Sequence, residues 1–188
     1  MSRRDEILAV AAELFAKRGF HGVSVAEVGA ACGISGPALY KHFASKDAML
    51  AEMLVSISQW LLAGGRACVD GASSADEAVA ALVDHHVGFA LEHRPLIVLQ
   101  DRDWEALPPE AREQVRALQR EYVDVWAGQL AALDGGPAAG SLDRARAGAH
   151  AAFGLINSTP HSGLLPDADM RGLLRAMALA AVGASGEG

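Results

Sequence analysis

Residues 24–46 read SVAEVGAACGISGPALYKHFASK, and this stretch decides the fold. Ser24-Val-Ala-Glu27 is a capping box, in which a hydroxyl and a carboxylate satisfy the first free amides of a helix. Gly33 follows soon after, the residue type that closes a helix in the left-handed conformation. Ser35 then caps a third helix, where Pro37 is harmless because first-turn amides have no intrahelical partner. Two short helices across a tight Cys32-Gly33-Ile34 turn have the geometry of a helix-turn-helix. Val25, Val28, Ile34, Leu39 and Phe43 can pin the pair together. That leaves Ser35, Gly36, Pro37, Ala38, Tyr40, Lys41 and His42 facing out. Residues 34–46 contain two lysines, a histidine and no acid. Small residues at a helix start let the backbone approach base edges in a major groove. The helix starts at Ser24 and Ser45 offer amides to phosphates, and Lys46 adds a charge beside the second.

Outward from this stretch the chain reads as helix almost everywhere. Ile7, Leu8, Ala11, Leu14 and Phe15 share one face of a first helix that Gly19 ends. A fourth helix starts at Ser45 with Met49, Met53, Ile57 and Trp60 on its apolar face. Ser74…Glu77 repeats the capping box and opens a helix carrying Val79, Leu82, His86, Phe89 and His93. After Pro95 comes a short segment from Leu96 to about Leu107. A long helix over 109–133 is apolar on two sides, which suits a central position in a bundle. Gly135-Gly136-Pro137 breaks it. Two more helices, about 141–157 and 167–182, complete an all-α chain of eight or nine helices, and Gly183–Gly188 are expected to fray.

The 188 residues are 51% apolar and 21% charged, as in a folded globular protein, with a net charge of −7. Residues 1–50 hold six basic groups against five acids, and the rest holds ten arginines against eighteen acids. An acidic protein does not coat nucleic acid by bulk charge, so any DNA contact must be local. No run approaches the roughly 18 apolar residues of a membrane span, and MSRRDEIL lacks the apolar core of a signal sequence. Two cysteines without metal-ligand spacing point to a reduced, cytoplasmic protein with no disulfide framework. No nucleophile–base grouping or phosphate loop suggests catalysis, and no cofactor is expected.

The N-terminal pattern resembles the TetR (tetracycline-repressor) family of transcriptional regulators. Leu14-Phe15…Gly19-Phe20, Val23-Ser24-Val25…Val28…Cys32-Gly33-Ile34-Ser35 and Leu39-Tyr40-Lys41-His42-Phe43…Ser45-Lys46-Asp47…Leu50 carry the likeness, over about residues 4–50. Two departures occur. Ser24 stands where threonine is commoner. Gly29 sits inside the second helix at a cost of about 1 kcal/mol against alanine, which close helix packing would explain. The resemblance implies an N-terminal DNA-binding domain (1–46) with its helix-turn-helix, and a C-terminal helical bundle (47–188) for ligand binding and dimerisation. Its function would be repression at a palindromic double-stranded operator, released by a small molecule.

For the effector, the expected lining is Trp60, Phe89, Trp104, Tyr122, Trp126 and Phe153, with His86 and Asn157 as polar anchors. So few basic side chains favour a hydrophobic compound such as an acyl chain, an acyl thioester or a polyketide-like aromatic. The C-terminal half also resembles a TetR subgroup that senses acyl thioesters. The alternative is a DNA-binding regulator controlled by a protein partner without a ligand. For the homodimer, Leu142, Ala145, Ala149, Ala152 and Ile156 form one stripe, with Leu173, Met177 and Ala180 on the last helix. Blander readings stand beside these. Tyr40 and the tryptophans would also serve as packing aromatics, His42 as a cap, Lys46 as a solvated lysine, and Arg3-Arg4 as either a loose tip or a DNA-reaching arm. His85, His86 and His93 are read as core or pocket histidines rather than metal ligands, and Cys32 as a small turn residue.

Overall fold

A computed structural model describes residues 2–133 and 141–183, so the Gly135-Gly136-Pro137 breaker and the residues beyond Gly183 lie outside the described part. The described residues form α1 (Arg3–Arg18), α2 (Val25–Ala31), α3 (Gly36–Leu39), α4 (Lys46–Asp70), α5 (Ala75–Glu92), α6 (Arg94–Arg102), α7 (Pro109–Leu133), α8 (Ser141–Ile156) and α9 (Asp167–Gly183). Short 3-10 turns lie at Trp104–Ala106 and Thr159–His161. The all-α reading holds, with nine helices among the described residues.

These helices belong to two compact units, Met1–Ile57 with Pro95–Arg116, and Ser58–Arg94 with Ala117–Gly188. The units follow packing rather than a single cut after residue 46. In the first, Ile7, Phe15, Phe20, Val28, Leu39, Phe43, Met49 and Leu50 form a core that also takes in Leu99, Leu107 and Val115. Polar contacts bind the 95–116 segment to the same core. Arg102 donates to the carbonyls of Phe15 (2.6 Å), which also accepts from the Gly19 amide, and Ala16 (2.9 Å), both in the last turn of α1. Asp103 pairs with Arg102 at 2.8 Å and accepts from the Phe20 amide at 3.4 Å.

Arg3 and Arg4 form neither a loose tip nor an extended arm. Ser2 and Asp5 close a capping box, so the helix already includes both arginines. Arg4 then lies 4.1 Å from the Phe43 ring centre and pairs with Glu52, holding α1 against α4. Helix α4 is long and apolar enough to cross a membrane by length and composition. It buries Met49, Leu50, Met53, Leu54 and Ile57 within protein.

In the second unit α5 packs against α8 and α9. The alanine stripe of α8 expected at a twofold contact lies inside this unit instead. Ala145, Ala149, Ala152 and Ile156 are buried, as are Met170, Leu174, Ala178 and Val182 of α9. Small side chains signal close approach, and here the approach is to helices of the same chain. The buried Thr159 hydroxyl donates to the Ala90 carbonyl at 2.7 Å, fixing the turn after α8. By contrast Leu173 (45% exposed) and Met177 (47%) of α9, with Leu164 and Leu165 before it, face solvent.

Candidate nucleic-acid interface and aromatic site

The helix-turn-helix is built from caps. Ser24 Oγ accepts from the Glu27 amide at 3.2 Å, while the Glu27 carboxylate accepts from the Ser24 amide (2.8 Å) and hydroxyl (2.7 Å). Those Ser24 bonds, then Arg18 at 2.7 Å, hold the Glu27 carboxyl down at about 2. Helix α2 ends at Cys32, and Gly33 takes φ +68°, the left-handed conformation expected of it. The Ile34 amide donates to the Gly29 carbonyl at 2.9 Å, closing the turn. A Cβ on Gly29 would lie 2.9 Å from the Ile34 carbonyl oxygen, so the helix-packing explanation of this glycine holds.

Ser35 caps α3 by accepting from the Ala38 amide at 3.3 Å, and Pro37 sits in its first turn. This helix is only four residues long, shorter than the sequence pattern suggests. Beyond Leu39 the chain tightens, with Lys41 bonding back to Ala38 and His42 to Leu39, because Phe43 must turn inward to be buried. Ser24, Ser35, Pro37, Tyr40 and Lys41 are exposed, whereas Gly36, Ala38 and His42 are half-buried. At 55% exposure Tyr40 is a surface aromatic, not a packing one. The His42 carbonyl accepts from Arg4.

Lys46 is engaged differently from the expected phosphate contact. Its ammonium donates to the carbonyls of Phe20 (2.8 Å) and Val23 (2.9 Å) and lies 4.4 Å from the Phe20 ring centre. Two donors are thereby committed inside the unit, where the lysine latches α4 to the α1–α2 connection.

In the second unit, α5 supplies His86 and Phe89, α7 supplies Tyr122 and Trp126, and α8 supplies Phe153, with Asn157 just past its last residue and its amide still donating to the Phe153 carbonyl. Each pair is three or four residues apart, so both members project from one helix face. His86 is buried and stacks on Phe153 (4.5 Å) and Tyr122 (5.8 Å). Its Nδ1 meets the Tyr122 hydroxyl at 3.3 Å and its Nε2 meets Asn157 Oδ1 at 3.1 Å. Burial pushes His86 down to about 3, outweighing the Asn157 bond, which acts in the opposite direction. Burial raises Tyr122, so both groups are neutral around pH 7.

Two of the expected lining residues are placed elsewhere. Trp60 is 45% exposed and rests between His85 (4.5 Å) and His93 (6.0 Å), the second of which stacks on Phe89 of the cluster. Trp104 belongs to the first unit, where it packs against that core beneath Arg116. The sequence reading also missed Gly64 and Gly65. A Cβ at Gly65 would lie 2.6 Å from the Tyr122 ring, and one at Gly64 would lie 2.2 Å from the His85 ring. An unexplained glycine pair in the middle of a helix was the available signal. Among the described residues no group of three or more His, Cys, Asp or Glu could hold a metal ion.

Residues 7–53 match the family described as "Bacterial regulatory proteins, tetR family", and residues 72–161 match "Tetracyclin repressor-like, C-terminal domain". The transcriptional repressor KstR2 of Mycobacterium tuberculosis is 35% identical over 107 residues, covering 53% of this chain and 50% of the relative. The chain thus spans about half the length of the curated relatives it matches. A TetR-family regulator from Bordetella parapertussis superimposes with a TM-score of 0.83 at 28% identity, over 98% of this chain and 94% of that one. The ketosteroid transcriptional regulator KstR2 of M. tuberculosis does so with a TM-score of 0.77 at 25% identity, over 95% and 94%.

Proposed function

The chain belongs to the TetR family of bacterial regulatory proteins, and from that premise we propose that it is a dimeric, sequence-specific repressor released from a palindromic operator by a hydrophobic effector. Members of this family are transcription factors rather than enzymes. One observation carries the DNA-binding part. Tyr40 and Lys41 stand exposed just after the capped helix start at Ser35, within residues 34–46, which contain no acid. In this reading Tyr40 and Lys41 meet the duplex directly, while Ser24, Ser35, Gly36, Pro37, Ala38 and His42 form the surface that fits against it. The KstR2 relatives, named as repressors, support the same role.

The effector would bind at the aromatic cluster of the second unit, where rings from three helices surround a neutral His86–Tyr122–Asn157 chain. A site of this composition suits a largely apolar compound, which agrees with the ketosteroid regulator among the solved relatives.

Footprinting on the DNA upstream of the protein's own gene, followed by salt-dependent gel shifts, tests the first part. Tyr40→Ala and Lys41→Ala should each weaken operator binding about tenfold, and Lys41→Ala should reduce the salt slope by about one if it meets a phosphate. Unchanged binding by both variants would remove this face from the interface. Release of operator by acyl thioesters, fatty acids, planar aromatics or a ketosteroid tests the second part. Release by small ionic compounds alone would overturn the hydrophobic effector.

A further inference from the structure

Trp126 is wholly enclosed at 0% exposure, yet its Nε1 has no hydrogen-bond partner among the described residues. An indole N–H can only donate, and buried donors in native proteins are almost always met by an acceptor. The groups around it are already committed to one another. Asn157 Oδ1 accepts, so His86 Nε2 carries the hydrogen of that bond. His86 Nδ1 is then an acceptor, and it takes the Tyr122 O–H. The Tyr122 oxygen is close enough for the indole to act against the burial effect, but the two do not meet at hydrogen-bond geometry. The rings of His86, Tyr122 and Phe153 all stand at 76° to 85° to the indole plane, with centres 5.1 to 6.4 Å away.

This corner therefore offers one spare donor and no countercharge. The cations seen over rings among the described residues are Arg4 at Phe43, Lys46 at Phe20 and Arg116 at Trp104, each away from this cluster, and His86 is neutral around pH 7. A carboxylate placed here would be buried without a cation, which is strongly unfavourable. A neutral carbonyl oxygen carries no such penalty and supplies the missing acceptor. Resting on the effector reading above, we infer that Trp126 Nε1 donates to the uncharged carbonyl oxygen of a thioester, ester or ketone on an otherwise apolar effector. The site thereby selects against the corresponding free acid.

Three ten-carbon probes separate the possibilities: S-ethyl thiodecanoate, decyl ethyl sulfide without the carbonyl, and decanoate. Binding to the full-length protein is followed by fluorescence titration without DNA, and by the indole N–H resonances of the three tryptophans. The thioester should bind more tightly than decanoate and shift the Trp126 N–H signal, while the sulfide leaves that signal in place. Trp126→Phe keeps an aromatic ring but removes the donor, and should weaken the thioester about five- to tenfold while leaving the sulfide unchanged. Equal weakening of both, tighter binding of decanoate, or an unmoved N–H signal under saturating thioester would overturn the inference. The wild-type N–H signal decides the matter even if the variant does not fold. Failure of both the thioester and the sulfide to bind would overturn the effector reading as well, whereas sulfide binding with an unmoved N–H would overturn this inference alone.

Discussion

At His86, the rings of Phe153, Tyr122 and Trp126 occupy the space that water would need to solvate an imidazolium. The folded protein therefore keeps this histidine neutral down to about pH 3. His85 and His93, half-buried beside Trp60, are lowered by the same cause. In the unfolded chain such groups titrate near 6.5. Below that pH the unfolded state binds more protons, so stability is complete above about 6.5 and declines as pH falls toward the folded value. One histidine contributes at most about 1.4 kcal/mol per pH unit to that decline. Calorimetric melts of wild type should be flat above neutrality and fall below it. His86→Gln should melt lower throughout, having lost a ring and its bonds, but with a shallower fall over roughly pH 5 to 6.5. Equal slopes in the two proteins would show that His86 is not held neutral.

At the scale of helices and turns, what was legible in the sequence was local. The Ser24–Glu27 capping box, the left-handed Gly33 and the glycine at 29 depend on neighbours within a few residues, and each stands where its pattern put it; of the second box only the Ser74 cap forms, because the Glu77 carboxylate accepts from Ser73 instead. Contacts between distant segments were not legible. The pattern of residues 95–116 shows an apolar face but not which core receives it, so Trp104 was grouped with rings of the other unit. The alanine stripe of α8 announces a close neighbour without saying whether that neighbour is a second copy. Lys46 belongs to the same class. Motif position suggested a phosphate, while the fold brings the carbonyls of Phe20 and Val23 to its ammonium. Lys46→Met should therefore destabilise the first unit by about 1–3 kcal/mol, since the charged bonds to both carbonyls are lost. The slope of operator affinity against salt should stay unchanged. A slope shallower by about one unit with unaltered melting would instead put the ammonium on a phosphate.

For the whole molecule, a palindromic operator requires two copies, and the helix faces already buried limit where they can meet. With Ala145, Ala149, Ala152 and Ile156 inside their own unit, the large apolar side chains left exposed among the described residues of the last two helices and the loop between them are Leu142 on α8, Leu173 and Met177 on α9, and Leu164 and Leu165. A twofold contact places the same face on both partners, so one exposed stripe can bury itself against its mate. Such a dimer would present two recognition surfaces whose spacing must match major grooves about 34–36 Å apart. An effector then acts only through its difference in affinity between the dimer geometry that fits this spacing and one that does not. Leu173→Glu combined with Met177→Glu would place like charges opposite one another across the axis. Sedimentation equilibrium should find wild type dimeric at micromolar concentration and the double variant monomeric. The helical circular dichroism of the two should be the same, because both side chains are exposed in the single chain. Operator affinity should fall together with dimerisation, since each half-site would then be held by one copy alone. A variant that stayed dimeric would move the twofold contact away from this face of α9.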